Sequence, residues 1–518
     1  MPPAKSVSLV AQALIATYEP RLAGGGCGVK ARPMLRKRIS GQDAIERSAA
    51  STRNRFALGV LCLAPFLGVF DTTAVVIALP SIQRDLGFTG SSVQWVLNGY
   101  TLALGGLLLL GGRLADVLGR RRTLMAGMAF FALASIGAGL AGAPWMLVAA
   151  RIMQGIGAAA MGPAALSLAA TTFPELGQRN RAIGIFGAMA AVGWIAGTAL
   201  GGALTELLSW RWVLFAGAPV ALAGVLLAPR FISESRDPDM PNGLDLTGAL
   251  MVTSGAAALI YALSKFPARG WDSPETSGVG AIGVVLLAGF VGMEARSTSP
   301  LVPLSIFRSR AIAVANCGML LTACAAIAQL YVLTLYFQEV LGKSPLKAGL
   351  LFLPAAIAGI AFAPIAGAAV NRLGGVRPTS LLGLVVMGLG LVVAARLPED
   401  GGPLLAVAAA VVIEIGFELT SVPLTIAATT NAPHHRQGVA AGLLQTTSNL
   451  GNATGLAVIA SVIALAASDD LIIGLRQGLV VAVAFSAMAA VLVLIALPNH
   501  PRQDAEAAAD GRSDRALP

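Results

Sequence analysis

Uncharged apolar blocks alternate along this chain with short stretches that hold charge, Pro and Gly; Val93–Gly112 and Gly278–Met293 are two such blocks. A bilayer core takes about 20 residues of helix per crossing. Inside hydrocarbon a lone segment can satisfy its own backbone only as a helix. The blocks predict fourteen spans, near 56–79, 93–112, 123–142, 146–172, 182–204, 212–231, 246–264, 277–293, 311–337, 348–370, 379–396, 403–428, 438–466 and 475–497. The connections are too short for a soluble domain. The expected fold class is an all-α polytopic membrane protein with 14 transmembrane helices.

The blocks repeat. Gly112, Asp116, Gly119 and Arg122 recur as Gly367, Asn371, Gly374 and Arg377 at a constant offset of 255, and Gly184, Gly193 and Gly197 recur as Gly442, Gly451 and Gly455 at 258. Each set follows the second span, or lies within the fifth, of its own half. Two six-span bundles with a pair of spans inserted between them account for fourteen, and parallel repeats build two-lobed transporters with a site between the lobes. The expected organisation is a basic cytoplasmic tail over 1–55, a six-helix lobe over 56–231, a linker and two inserted helices over 232–310, a second six-helix lobe over 311–497, and a cytoplasmic tail over 498–518.

Composition sharpens this picture. Only 12% of the 518 residues are charged and 56% are apolar, about half the charge of an average soluble protein. That excludes a soluble enzyme, a fibrous protein and a disordered scaffold. The net charge is +10, but ten of the Lys and Arg precede Phe56 against three acids, so the excess holds a tail on the cytoplasmic side and does not point to nucleic acid. Loops on the tail side carry more Lys and Arg than the others, which with an even span count places both termini in the cytoplasm. The tail is expected to lack fixed structure. Its apolar stretch at 7–16 makes a poor signal peptide, because Glu19 and Arg21 follow; Met34 is a candidate start of the mature chain. Cys27, Cys62, Cys317 and Cys324, with His434, His435 and His500, show no metal spacing, and the intramembrane cysteines read as small buried hydrophobes. No phosphate-binding loop or nucleophile–base set is present, so neither an enzyme nor a cofactor is expected, and the energy comes from a proton gradient.

The stretch from Gly112 through Asp116 and Gly119 to Arg120, Arg121 and Arg122 resembles the loop between spans two and three of the major facilitator superfamily. Asp71-Thr72-Thr73 with Ala78-Leu79-Pro80, Arg151 with Gln154-Gly155, Trp210-Arg211-Trp212, Asp245 with Gly248, and Gln338 to Gly342 with Ala348-Gly349 and Pro354 are similar to its fourteen-helix drug:proton antiporter family. The likeness covers roughly residues 56–497. It implies two major-facilitator lobes, alternating access, and a cytoplasmic latch at Gly112, Asp116, Gly119 and Arg120–Arg122 that breaks as the lobes rock. The glycines Gly193, Gly197, Gly201 and Gly202 form small-residue rows that let helices approach. Thr198 stands where these antiporters usually have proline, which removes one mark of export and leaves import on the same fold open.

A charge at mid-span costs at least about 2.5–3.5 kcal/mol on insertion scales, so each needs a reason. Asp71, Arg151, Glu414 and Glu418 stand out. Asp71 is the expected proton-coupling group, with Arg151 tuning its proton affinity through charge, and both match positions of the family. Glu414 and Glu418 lie four apart on one helix face, repel when both are ionised, and suit proton carriage or binding of a lipophilic cation. Asp85 and Glu206 sit near span ends, as solvated interface residues. Trp95, Asn98, Tyr100, Gln154, Trp194, Asn316, Gln329, Tyr331 and Tyr336 are the candidate cavity residues.

The expected function is proton-coupled efflux of amphipathic, cationic or aromatic small molecules by a monomer in the cell (plasma or inner) membrane. Its partners are small-molecule substrates, protons and the lipid bilayer. A dedicated exporter of one compound, such as a self-made antibiotic, siderophore or lipid, is the nearest alternative. A non-transporting receptor on the same fold is another.

Overall fold

The computed structural model describes residues 31–88, 92–173, 176–236, 245–270, 272–297, 300, 302, 304–399, 402–432, 437–466 and 470–498. Cys27, His434, His435, His500, the tail before residue 31 and the tail after 498 lie outside the described residues. By contacts the chain divides into two units, Met1–Ala57 and Leu58–Pro518. In the first, residues 31 onward are helical, where the sequence reading expected an unstructured tail; no Pro or Gly cluster stops a helix between Pro33 and the first span. All that follows concerns the second unit.

Among the described residues, fourteen helices are long and apolar enough to cross a membrane: α1 (Arg53–Leu86), α2 (Trp95–Leu118), α3 (Arg120–Gly139), α4 (Pro144–Thr172), α5 (Arg181–Leu207), α6 (Trp210–Phe231), α7 (Leu246–Phe266), α8 (Pro274–Glu294), α9 (Arg310–Val340), α10 (Pro345–Arg372), α11 (Val376–Ala394), α12 (Pro403–Thr430), α13 (Val439–Ala466) and α14 (Leu471–Ala496). The expected ends hold to within a few residues, save that α1 runs to Leu86 rather than 79 and α2 to Leu118 rather than 112. Pro80 does not end α1, because neighbouring helices can satisfy the carbonyls that a proline frees in a membrane helix. Helix starts follow local rules. Pro144, Pro274, Pro345 and Pro403 occupy first turns, where the missing N–H costs nothing. The side chains of Ser209, Asp245 and Asp470 accept from the N–H groups of Arg211, Gly248 and Ile472.

The repeat is carried by packing. A Cβ on Gly193 would lie 2.6 Å from the Phe66 carbonyl oxygen of α1, and one on Gly451 would lie 2.5 Å from that of Leu320 on α9. The matched glycines therefore seat α5 on α1 and α13 on α9. Basic side chains repeat the logic at the helix ends. Arg121 donates to the Ile232 carbonyl after α6 (3.1 Å) and Arg377 to that of Leu494 on α14. At the opposite end Arg211 reaches the Ala141 carbonyl (3.4 Å) and Arg476 that of Leu397 (3.0 Å). Helices α1–α6 and α9–α14 are thus two lobes of one plan. The end bearing the α2–α3 turn is termed the Gly119 face, and the other, with the α9–α10 turn, the Gly342 face.

The inserted pair lies across a seam between the lobes. Helix α7 meets α2 where Thr253 fills the space beside Gly106, and meets α13 where Ser461 Oγ donates to the Leu263 carbonyl (3.0 Å). Leu102, Ala256, Ile260, Ala453 and Ala457 form one buried cluster there. The other seam, α5 against α10, is in close contact on the Gly342 side, where Gly349 meets the Thr198 carbonyl. Further along α5, Gly184 and Gly187 have open space where a Cβ would stand. Cys62 and Cys324 are buried as expected, whereas Cys317 is exposed.

Candidate functional site

Two separate carboxylate centres lie within the membrane-spanning helices. In the first, Asp71 of α1, Arg151 and Gln154 of α4 and Ser135 of α3 are all at most 2% exposed. Arg151 Nη1 donates to Asp71 Oδ2 and to Gln154 Oε1 (2.8 Å), while its Nε donates to the Val96 carbonyl (2.9 Å). Gln154 Nε2 donates to Asp71 Oδ1 (3.2 Å) and Ser135 Oγ (2.8 Å). The guanidinium lies 4.5 Å from the centroid of Tyr100, whose hydroxyl donates to the Gly68 carbonyl (3.5 Å). Four helices thus converge on one ion pair, whose Arg151 Nη2 is left without a hydrogen-bond partner among the described residues; further hydrogen bonds of this kind are what make a buried pair of charges tolerable. Ser135 gave no signal in the sequence; a serine in an Ala/Gly-rich span stands out only once Gln154 is seen facing it.

The second centre lies between the lobes. Glu414 of α12 is 6% exposed and is hydrogen-bonded by the Gln329 side chain of α9. It lies beside Gly359 of α10, next to Trp194 of α5 from the other lobe. Glu418, one turn on, is half-buried. Among the described residues neither glutamate makes a salt bridge; Asp71 has its own cation and this pair does not.

The remaining cavity candidates divide. Tyr100 and Gln154 belong to the first centre, and Gln329 and Trp194 to the second. Asn98 is fully buried with both side-chain polar atoms unpartnered. Asn316 donates to the Ile312 carbonyl (2.9 Å) and accepts from Thr447 (3.0 Å), tying α9 to α13. Trp95 packs on Tyr261 of the inserted pair, with centroids 6.1 Å apart. The Tyr336 hydroxyl donates to the Pro398 carbonyl (2.8 Å). Trp95 and Tyr336 are therefore packing and clamp residues, while Tyr331 is buried in the main apolar core. A cavity of about 710 Å³ between the Gly119-face ends of α7 and α8 includes Asp245, Gly289 and Arg296 in its lining but no intramembrane carboxylate.

The Gly119 turn binds its own lobe in this state. Arg120 pairs with Asp116 (2.9 Å). The Arg121 backbone N–H donates to Glu234 (3.0 Å) and that of Arg120 to the Ser235 carbonyl (2.9 Å). Arg121 and Arg122 both lie 3.8 Å from the Glu234 carboxylate, and Gly112 faces Pro163 of α4. Among the described residues these latch contacts stay within the first lobe and the segment after α6. Gly119 has φ +110°, and a Cβ there would meet the Glu234 carboxylate at 2.9 Å. Gly119→Ala is expected to lower stability by about 1–3 kcal/mol, and Glu234→Gln, which removes only half-exposed ion pairs, by less than about 1 kcal/mol. Thermal unfolding of the purified protein checks this: equal losses would mean the charges, not the turn, hold the loop.

The lobes meet at the Gly342 face through residues whose sequence motif carried no assigned role. Gln338 Nε2, in a π-helical turn at Tyr336–Val340, donates to the Ile77 carbonyl (2.8 Å). Glu206 accepts from the Leu346 N–H (3.0 Å), and Arg84 approaches Glu339 (3.9 Å). A Cβ on Gly349 would lie 2.0 Å from the Thr198 carbonyl oxygen, and one on Gly202 would lie 2.5 Å from that of Pro345. Gly193, Gly197 and Gly201 press on α1, but Gly202 presses on the other lobe. Asp85, read as a solvated residue, accepts from both Trp210 Nε1 (3.0 Å) and Arg211 (2.6 Å), fastening α1 to α6 at this face.

This two-lobed architecture of paired six-helix bundles with an inserted pair is that of a membrane transporter. The model of the Major Facilitator Superfamily matches residues 61–456, and the chain belongs to that family. It is 38% identical over 433 residues to the Cephamycin export protein CmcT of Amycolatopsis lactamdurans, covering 82% of this chain and 88% of that one. It is also 38% identical over 415 residues to the Puromycin resistance protein pur8 of Streptomyces alboniger, covering 79% and 82%. A crystal structure of a POT family transporter in complex with 5-aminolevulinic acid superposes with a TM-score of 0.63 at 17% identity, over 85% of this chain and 94% of that one; at that identity the likeness is one of fold. The chain is a multi-pass membrane transporter of small molecules.

Proposed function

We propose that the protein exports amphipathic, cationic or aromatic small molecules in exchange for protons, by alternating access between its lobes. The observation that carries this is the contrast between the two carboxylate centres. Asp71 has a built-in cation, Arg151, and is read as the coupling group that exchanges this partner during the cycle. Glu414 and Glu418 have no partner cation among the described residues, and a buried carboxylate must then be neutralised by a proton or by the substrate. The basic segment before α1 puts the Gly119 face and both termini in the cytoplasm, so the structure is the state closed to the outside. The protein works as a monomer in the cell membrane, without a cofactor and without catalysis.

Purified protein in vesicles with an imposed pH gradient and an internal pH dye tests the reading. Ethidium is expected to trigger proton flux in the wild type. Glu414→Gln is expected to cut the ethidium response about tenfold or more, a loss of about 1.4 kcal/mol of interaction, while uncharged aromatic substrates are spared. An unchanged ethidium response would remove Glu414 from cation reading. A dedicated exporter is the second reading, favoured because the two relatives are each named for a single antibiotic; a compound panel with one strong responder and no others would establish it.

A further inference from the structure

We infer that the cavity at the Gly119-face ends of the inserted pair binds the headgroup of a zwitterionic phospholipid, with Arg296 holding its phosphate and Asp245 its ammonium. The space arises from how the two helices pack. A Cβ on Gly255 of α7 would lie 3.1 Å from the Gly283 carbonyl oxygen of α8, and one on Gly283 would lie 2.9 Å from that of Gly255, so the backbones touch at mid-span. Towards the Gly119 face Met251 fills the space over Gly289, but further along α8 a Cβ on Gly292 would meet nothing. There the cavity of about 710 Å³ opens, with Asp245, Thr247, Met293 and Arg296 in its lining.

The charges are placed for a zwitterion. Asp245 stands just before α7 and Arg296 just after α8, where hydrocarbon gives way to headgroups. Asp245 Oδ1 caps α7 by accepting from the Gly248 N–H (2.8 Å). Its Oδ2 is buried with no hydrogen-bond partner among the described residues, and such an oxygen costs free energy until a donor reaches it. Arg296 is exposed and among the described residues makes no salt bridge. Its planar fork suits phosphate oxygens. A simple anion would leave Asp245 unanswered and a simple cation would leave Arg296 so, whereas a phosphate joined to an ammonium answers both. The ammonium needs N–H groups to donate to Oδ2, which favours ethanolamine over choline. The bilayer is the source: Leu246 and Leu250 of α7 and Val291 of α8 are each more than half exposed near the cavity, and they offer acyl chains a surface that a soluble zwitterion does not use. Because α7 packs on both α2 and α13, the lipid is held by an element that both lobes share.

Native mass spectrometry of the purified full chain, titrated with dimyristoyl phosphatidylethanolamine or dimyristoyl phosphatidylcholine, reads the affinity for the first bound lipid. Wild type is expected to bind phosphatidylethanolamine about tenfold more tightly than phosphatidylcholine. Asp245→Asn keeps the cap, since asparagine caps as well as aspartate, and is expected to bring the two affinities within about twofold of each other. Arg296→Gln is expected to weaken both about tenfold. Gly292→Leu fills the cavity from a position without neighbours and is expected to weaken both while leaving the unfolding temperature unchanged. Equal affinity of the wild type for the two lipids, or a first-lipid affinity that none of the three variants alters, means general lipid coating and overturns the site. Free phosphoethanolamine competing as strongly as the lipid itself overturns the assignment to the bilayer.

Discussion

Asp71→Asn is expected to reduce substrate-driven proton flux to the level of protein-free vesicles while leaving ethidium binding within about threefold of wild type. The amide keeps the shape of the carboxylate and can still receive a hydrogen bond from Arg151, but it leaves that buried guanidinium without an anion, at a cost of about 3–5 kcal/mol, so flux is compared at equal amounts of folded protein. The amide cannot change charge. In the wild type a proton on Asp71 cancels its attraction for Arg151, but the guanidinium keeps two protein acceptors, the Val96 carbonyl and Gln154 Oε1. The pair can therefore separate without stranding Arg151, as a coupling group requires. Arg151→Ala goes further: it empties a fully buried site and leaves Asp71 without its cation, which costs about 3–5 kcal/mol and should appear as a much lower unfolding temperature. Arg151→Lys keeps the charge, but one ammonium cannot reach Val96, Asp71 and Gln154 with the same fork, so it should fold better than alanine and still couple poorly. Flux at half the wild-type rate or more in Asp71→Asn would remove Asp71 from coupling.

The sequence made the spans and the mid-span charges legible for the same reason: in hydrocarbon both length and charge are under heavy penalty. The repeat was visible where it rested on glycines, because a helix contact that excludes a Cβ leaves no alternative residue. It was invisible where it rested on arginine-to-carbonyl clamps. Arg211 with Ala141 and Arg476 with Leu397 are equivalent contacts, yet a backbone carbonyl leaves no trace in residue identity, and loops of different length shift the register. Facing was also hidden. Trp95 and Tyr336 have the composition of cavity residues, but every side of these helices is apolar, so no pattern distinguishes the cavity from the inserted pair or a loop. Glu414 was conspicuous, whereas its neighbours Gly359 and Trp194 come from α10 and α5 and meet it only through the packing of the lobes.

The same reasoning makes the closed face the most sensitive place to perturb alternating access. Gly349→Ala places a Cβ 2.0 Å from a backbone oxygen of the opposite lobe, and backbone cannot rotate away as a side chain can. The first turns of α10 would have to retreat from α5, taking with them the Leu346 N–H that bonds Glu206. Alanine favours the helix that carries it, so the second lobe itself should fold normally. Overpacking of this kind costs about 1–3 kcal/mol, borne only by the state in which the lobes touch here. A penalty of that size shifts a two-state equilibrium about 5- to 150-fold, enough to depopulate this state and slow the transport cycle accordingly. A cysteine at Ala348, fully buried at this face in the present state, labelled by a membrane-impermeant maleimide, reports the change: its labelling should accelerate in Gly349→Ala as the face opens. Gly184→Ala is the control, because a Cβ there meets nothing and neither labelling nor transport should move. Unchanged labelling in Gly349→Ala, with normal transport, would mean that the Thr198–Gly349 contact is no part of the seal.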